Sequence, residues 1–222
     1  MLEAINVHKI YQHDAQQLHI LKGIDFGIAA GEVLSIVGPS GAGKSTLLHI
    51  LGALDRPSEG KVVLDGEDLY QLNDRQRSSL RNKKIGFVFQ FYHLLPELTA
   101  LENVILPALV KGNLKNSASL ETKGLDLLDR VGLEKRASHR PNQLSGGEQQ
   151  RAAIARSLIN DPKIIFCDEP TGNLDSETGR EIIELLMNLN AKNKQTLVIV
   201  THDDGIARLS HKTIFMRDGR LI

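Results

Sequence analysis

A chain of 222 residues is about one and a half times the usual domain length, enough for one large domain or a core with an appendage. With 27 Lys+Arg against 27 Asp+Glu the formal net charge is zero, which excludes the basic field of a general nucleic-acid binder, and 41% hydrophobic residues with 19 glycines exclude a disordered chain. One cysteine excludes an internal disulfide, no apolar run reaches the roughly 18 residues of a membrane span, and Met1 to Ile10 lacks the apolar core of an export signal, so a soluble, intracellular chain is expected.

The predicted elements begin with Ile24, Phe26 and Ile28, which alternate with Asp25 and Gly27 as in an antiparallel strand with one wet face. Nothing local accounts for the glycine at position 27. Residues 33–37 predict a buried strand, and 44–53 the helix that follows it. Residues 62–64 run into Asp65-Gly66, a hairpin turn signal. Arg75, Arg77, Arg81, Lys83 and Lys84, opposed only by Asp74, read as a solvated helix face. Residues 85–89 predict another strand. From about 93 to 150 the strand pattern is lost, and 101–110, 119–131 and 146–160 read as helices of an insert between two strands. Residues 164–167 and 197–200 are apolar runs of strand length. Between them 177–189 carries a helical stripe of Ile182, Ile183, Leu185, Leu186 and Leu189. Asp218-Gly219 is a second turn signal, and Ile222 falls inside an expected strand. Short apolar runs alternating with helices predict a largely parallel α/β sheet. The eight histidines show no paired spacing, so no transition-metal site is expected, and Cys167 reads as a small core residue.

Three motifs carry chemistry. Gly38, Pro39, Ser40, Gly41, Ala42, Gly43, Lys44 and Ser45, followed by Thr46, fit G-x-x-x-x-G-K-[ST] between a strand and a helix. Such a loop curls so that successive N–H groups point at phosphate oxygens, aided by the positive end of the helix dipole. Lys44 is then expected to reach the β- and γ-phosphates of a nucleotide, and Ser45 to hold Mg²⁺. The run 164–167 delivers Asp168 and Glu169 to the carboxyl edge of the sheet, where α/β proteins bind ligands. Asp168 is the candidate to hold Mg²⁺ and Glu169 the candidate base for the attacking water. Leu144-Ser145-Gly146-Gly147-Glu148 is a glycine-rich helix start that Ser145 can cap and whose N–H groups can face an anion.

In that order and company, the third motif resembles the signature of ABC-type ATPases, and the likeness covers essentially the whole chain. By resemblance, Tyr11 takes the place of the aromatic that stacks on adenine. Gln90 is similar to the glutamine that touches Mg²⁺ and the water, Asp175 to the D-loop aspartate, and His202 to the switch histidine at the γ-phosphate. The family's fold is implied: a P-loop NTPase α/β core with an antiparallel β portion and a helical signature subdomain. One nucleotide-binding domain would span 1–222, its core at about 1–90 and 151–222 and its helical subdomain at about 91–150. A head-to-tail homodimer is also implied, each ATP lying between one subunit's phosphate loop and the other's Ser145, Gly146, Gly147 and Glu148. Lys44 and Ser145 are only 101 positions apart with no heptad array, unlike the repair and chromosome-condensing relatives. Residues 91–104 resemble the matching stretch of lipoprotein-release ATPases, whose branch also holds macrolide-efflux and division-linked members. The resemblance thus implies integral membrane subunits of an exporter as partners, docked where 91–98 line a groove. It also implies a peripheral place on the cytoplasmic face of the inner membrane, and cargo lipoprotein that this chain does not touch. The efflux and division readings stay open alongside.

Overall fold

The computed structural model describes residues 1–13, 16–110 and 117–222. Its centre is a six-stranded sheet of β3 (Val33–Val37), β6 (Ile85–Phe89), β7 (Ile164–Asp168), β8 (Thr196–Thr201), β9 (Lys212–Arg217) and β10 (Arg220–Leu221), in spatial order β10-β9-β3-β8-β7-β6. All neighbours pair parallel except β10, which returns antiparallel on β9. The inner strands β3, β7 and β8 are nearly continuous apolar runs because both sheet faces are covered there. In β7, Ile164 and Phe166 point into one core with Leu34, Ile36, Val198 and Val200, while Ile165 and Cys167 point into the other with Leu197 and Ile199. Full burial of each such side chain is worth about 1.5–3 kcal/mol.

The first face is closed by α1 (Lys44–Leu51) and by a four-stranded antiparallel sheet of β1 (Leu2–His13), β2 (Gln16–Ile28), β4 (Glu59–Leu64) and β5 (Glu67–Asp68). The alternation at 24–28 marks only the end of β2. The rest of this sheet escapes a simple alternation because β1 slips register three times, with Asn6 at φ 47. At Gly27 a Cβ would meet only ordinary contacts, so the structure supplies no requirement for glycine there. Both turn signals form: Asp65 and Gly66 (φ 52 and 82) join β4 to β5, and Asp218 and Gly219 (φ 49 and 79) join β9 to β10. Positive φ at both central residues is the mark of the type I′ hairpin.

Helix α1 ends at Leu51, two residues before the predicted end. A Cβ on Gly52 would come within 2.5 Å of the Phe87 ring, and Ala53 turns to φ 58. The basic run forms α2 (Asp74–Lys84), started by reciprocal bonds between Asn73 and Gln76. Only Arg75 and Lys83 of that run are exposed; Arg77 pairs with Asp74, Arg81 donates to the Ala53 carbonyl and Lys84 faces Asp65 and Glu67, so the expected solvated face is largely engaged by the protein itself.

The second face carries α3 (Ala100–Leu109), α4 (Ser117–Arg130), α5 (Gly146–Leu158) and α6 (Ser176–Asn193). Thr99 and Glu102 cap α3 reciprocally. Among the described residues the insert shares its core with the sheet. Val104, Leu128, Leu144 and Ala155 belong to the same cluster as Ile165 and Ile199 of the sheet. Helix α5 lies so close to β6 that a Cβ on Gly86 would stand 2.6 Å from the Ser157 carbonyl oxygen. No described helix is long and apolar enough to cross a membrane.

Candidate active site

The loop between β3 and α1 needs backbone that other residues resist. Gly41 and Gly43 sit at φ 78 and 97, and a Cβ on Gly43 would crowd Leu21, Met216 and Ile20 at 3.0–3.2 Å. Gly43 starts α1 without any side-chain cap, which leaves the first N–H groups of the helix facing the cleft. Lys44, 8% exposed, lies inside the curl, its Nζ donating to the carbonyls of Gly38 (2.8 Å) and Pro39 (3.0 Å). The ammonium is held by its own loop.

A cleft of about 750 Å³ opens over this loop, lined by Ile20, Ser40, Gly41, Gly43, Lys44, Ser45, Thr46, Gln90, Glu169 and His202. That volume is typical of a small-molecule site. Asp168 meets it through Ser45, whose hydroxyl donates to Oδ1 at 3.1 Å. Burial pushes the Asp168 carboxyl above the ordinary carboxylate range, against the hydrogen bond from Ser45 and the positive charges of His49 and Lys44. Adjacent ligands on an octahedral ion with bonds of 2.0–2.1 Å would lie about 3 Å apart, so these two oxygens fit Mg²⁺ in both chemistry and separation. Among the described residues no group of three or more His, Cys, Asp or Glu side chains forms a metal cluster. The histidines are less scattered than their spacing predicts, because the β1–β2 pairing brings His8 Nδ1 within 3.2 Å of His19 Nε2.

Glu169 follows β7 with φ 46, an uncommon conformation for a side-chain-bearing residue, fixed by its N–H to the Val200 carbonyl (3.0 Å). This turns its carboxylate to His202, Nδ1 to Oε2 2.9 Å. Gln90 is fixed by reciprocal bonds with Asn173: its Nε2 donates to Asn173 Oδ1 (3.1 Å), and Asn173 Nδ2 donates to its carbonyl (3.0 Å). A Cβ on Gly172 would stand 2.8 Å from Gln90 Nε2, so the glycine makes room for the amide. Cys167 is fully buried, its thiol pushed up by burial and by Asp168, and it plays no part in the cleft.

Not every predicted site residue converges here. Tyr11 stands apart from the cleft lining: its hydroxyl donates to Asp55 Oδ2 (2.8 Å), and Lys9 Nζ lies 4.7 Å over its ring. Burial and the Asp55 carboxylate raise its phenol pKa. Ile20, which the sequence reading missed, lines the cleft instead. Ser145, Gly146, Gly147 and Glu148 start α5 away from the cleft of their own chain. The Ser145 hydroxyl accepts from Glu148 N (3.2 Å), Glu148 Oε2 accepts from Ser145 N (2.8 Å), and Arg136 Nε donates to Oε1 (2.9 Å). The Ser145 N–H, then Arg136, keep the Glu148 carboxyl below its usual range. Asp175 caps α6 through Glu177 N and Thr178 N, and its carboxyl is lowered first by the Thr178 hydroxyl. It lines a second cavity, of about 740 Å³, that shares His202 with the first.

The groove predicted along 91–98 is a different surface. The cavity there, about 450 Å³, takes only His93 from that stretch and is otherwise walled by α2, β6, α3 and α5, with Leu54, Arg81, Phe89, Val110 and Arg156 among its lining. Asn103, fully buried, pins 91–98 from beneath, and Arg156 donates to the carbonyls of Tyr92 (2.7 Å) and His93 (2.5 Å).

Comparison with known proteins gives the chain's relatives. The family model described as ABC transporter matches residues 21–172. A lipoprotein-releasing system ATP-binding protein, LolD, from Cytophaga hutchinsonii is 53% identical over 100% of this chain and 99% of its own length. The Bacteroides fragilis protein of the same name is 52% identical over 92% of this chain and 94% of its own. Among solved structures, the dimeric post-hydrolysis state of the ATP-binding cassette MJ0796 bound to ADP and Pi superposes with a TM-score of 0.92 at 45% identity, covering 100% of this chain and 96% of that one.

Proposed function

This chain belongs to the ABC transporter family, and from that premise we propose that it is the ATP-hydrolysing subunit of an exporter that releases lipoproteins from the inner membrane toward the outer membrane. The observation that carries the reading is the division of parts. The phosphate loop, Asp168, Glu169, His202 and Gln90 share one cleft, while the signature helix start lies elsewhere on the same chain. Each cleft is completed by Ser145, Gly146 and Gly147 of a second copy, in a head-to-tail homodimer.

In that site the loop 38–46 surrounds the triphosphate with backbone N–H groups, and Lys44 exchanges its loop carbonyls for β- and γ-phosphate oxygens. Tyr11 offers its ring to the adenine at the cleft's margin. Ser45, Asp168 and Gln90 would hold Mg²⁺, which would supply positive charge to the phosphates when bound. Glu169 accepts a proton from the attacking water, and His202, hydrogen-bonded to the same carboxylate, keeps it aimed and meets the γ-phosphate. Gln90, tied to Asn173, orients that water. Asp175 sets the approach of the second copy beside His202.

The 450 Å³ groove between the sheet and the helical insert takes a cytoplasmic helix of LolC/LolE-like membrane subunits, and closing of the dimer moves it. The chain then works peripherally, on the cytoplasmic face of the inner membrane, and its cargo stays with the membrane subunits. The names borne by the Cytophaga and Bacteroides relatives support the lipoprotein cargo.

Two measurements test this. ATPase activity of the isolated chain should rise faster than in proportion to its concentration; strict proportionality down to monomeric dilutions would refute pairing. Capture from gently solubilised membranes should bring down a few-span partner with a large extracytoplasmic domain and acylated lipoprotein. Cell-wall enzymes on that partner would move the chain to a division role, an efflux assembly would move it to export of small molecules, and absence of any membrane partner would refute the exporter.

A further inference from the structure

The side chain of Gln150 projects from the second turn of α5 into the fully buried space beneath the cleft. Its Nε2 donates to the carbonyls of Phe89 (3.2 Å) and Pro170 (2.6 Å). Phe89 is the last residue of β6, immediately before Gln90, and Pro170 immediately follows Glu169. Phe89 also pairs with Asp168 across β6 and β7, so one amide spans the two points where chain leaves the sheet to form the cleft. Both amide hydrogens face carbonyl oxygens, which fixes the orientation, since the flipped amide would press Oε1 against the same oxygens. No described protein group donates to Oε1. A buried acceptor left unpaired carries a cost, so what Gln150 contributes is its two donors.

We infer that Gln150 is a positioning residue that couples the signature helix to the two loops carrying Gln90 and Glu169. The inference rests on the paired-ATPase reading above. In the head-to-tail pair, the start of α5 completes the partner's site while its second turn holds the water-handling groups of its own. Gln150 therefore links the two sites of the dimer: a displacement of α5 on meeting the partner's nucleotide is passed to Gln90 and Glu169. No other described side chain hydrogen-bonds both carbonyls.

The test compares the parent chain with Gln150→Met, which keeps length and loses both donors, and Gln150→Glu. For Gln150→Met, kcat should fall by about tenfold to a hundredfold, the scale of a misplacement of about 1 Å among reacting groups. ATP affinity of the monomer, read by fluorescent-nucleotide titration, should stay within about twofold, and the Hill coefficient for ATP should drop toward one. For Gln150→Glu, the buried acid retains a donor while protonated and loses it on ionising. Its activity relative to the parent should therefore fall as pH rises, a profile that loss of packing alone would not give. The inference is overturned by a Gln150→Met kcat within about threefold of the parent, or by kcat and nucleotide affinity falling together. If that variant fails to fold, a flat relative pH profile for Gln150→Glu overturns it. A parent chain that does not hydrolyse ATP would overturn the ATPase reading itself, and with it the inference; an active parent separates the two failures.

Discussion

Replacing Asn103 by leucine should separate the stability of the chain from its coupling to partners. Asn103 Oδ1 accepts from Leu95 N at 2.8 Å, and its Nδ2 donates to the carbonyls of Leu95, Leu98 and Thr99 at 3.0–3.2 Å. An amide has two hydrogens, so about three hydrogen bonds are lost at about 1 kcal/mol each, near 3 kcal/mol in total. Leucine is close in volume and fills the space, but it leaves the Leu95 N–H without its acceptor. With about 2.1 cal/mol/K of unfolding entropy per residue, a chain of 222 residues changes by about 0.47 kcal/mol/K, so Tm should fall by about 6 °C. Thermal unfolding followed by circular dichroism at fixed nucleotide concentration reads this directly. Basal ATPase should stay within about threefold, because Gln90 is held separately by Asn173, whereas stimulation by membrane subunits should fall, because His93 of the loosened segment lines the groove proposed to receive them. A Tm shift below about 2 °C, or stimulation undiminished, would show that Asn103 does not organise that segment.

Glu169→Gln keeps an acceptor for His202 and removes the base, so turnover should fall by about 10²–10⁴-fold while bound ATP and the dimer persist in gel filtration; a variant with more than about a tenth of the parent rate would assign the base elsewhere. Asp168→Asn should raise Tm of the nucleotide-free chain at neutral pH and yet abolish Mg²⁺-dependent hydrolysis. The sign follows from the carboxyl's upward shift: the folded state holds the proton more tightly, so Asp168 costs stability as pH rises from the ordinary carboxylate value through the raised one, and stays costly above it. A lowered Tm at neutral pH would contradict that sign. Gly172→Ala drives a Cβ to 2.8 Å from Gln90 Nε2, and steady-state kinetics should give a kcat reduced about tenfold with KM unchanged; an unchanged kcat would mean that Gln90 needs no fixed position.

What the sequence reveals and what it hides divide by distance along the chain. The phosphate loop, the acids after β7 and the start of α5 are local devices, each written in fewer than about ten consecutive residues, and their neighbours say what they are. The bulged β1 hides its strand because every register slip moves the apolar residues to a new phase. The end of α1 is decided by Phe87, far along the chain, where periodicity has no information. Gln150 and Asn103 look like ordinary helical polar residues until their acceptors are seen, those of Gln150 lying 61 and 20 positions away. Tyr11 falls outside the cleft lining and Ile20 joins it because the β1–β2 hairpin, and not the motif order, decides which side chain meets the cleft.

The separation of the signature helix start from the cleft of its own chain has a genetic meaning. A pair built from one chain broken at Lys44 and one broken at Ser145 places both lesions in the same site and leaves the other site whole. Two alleles, each inactive alone, would then complement when expressed together. Two alleles broken at the same position could not, since every pairing carries a lesion in each site. An allele defective in either part would likewise leave one whole site in every pair it forms with a normal chain, and so would be recessive.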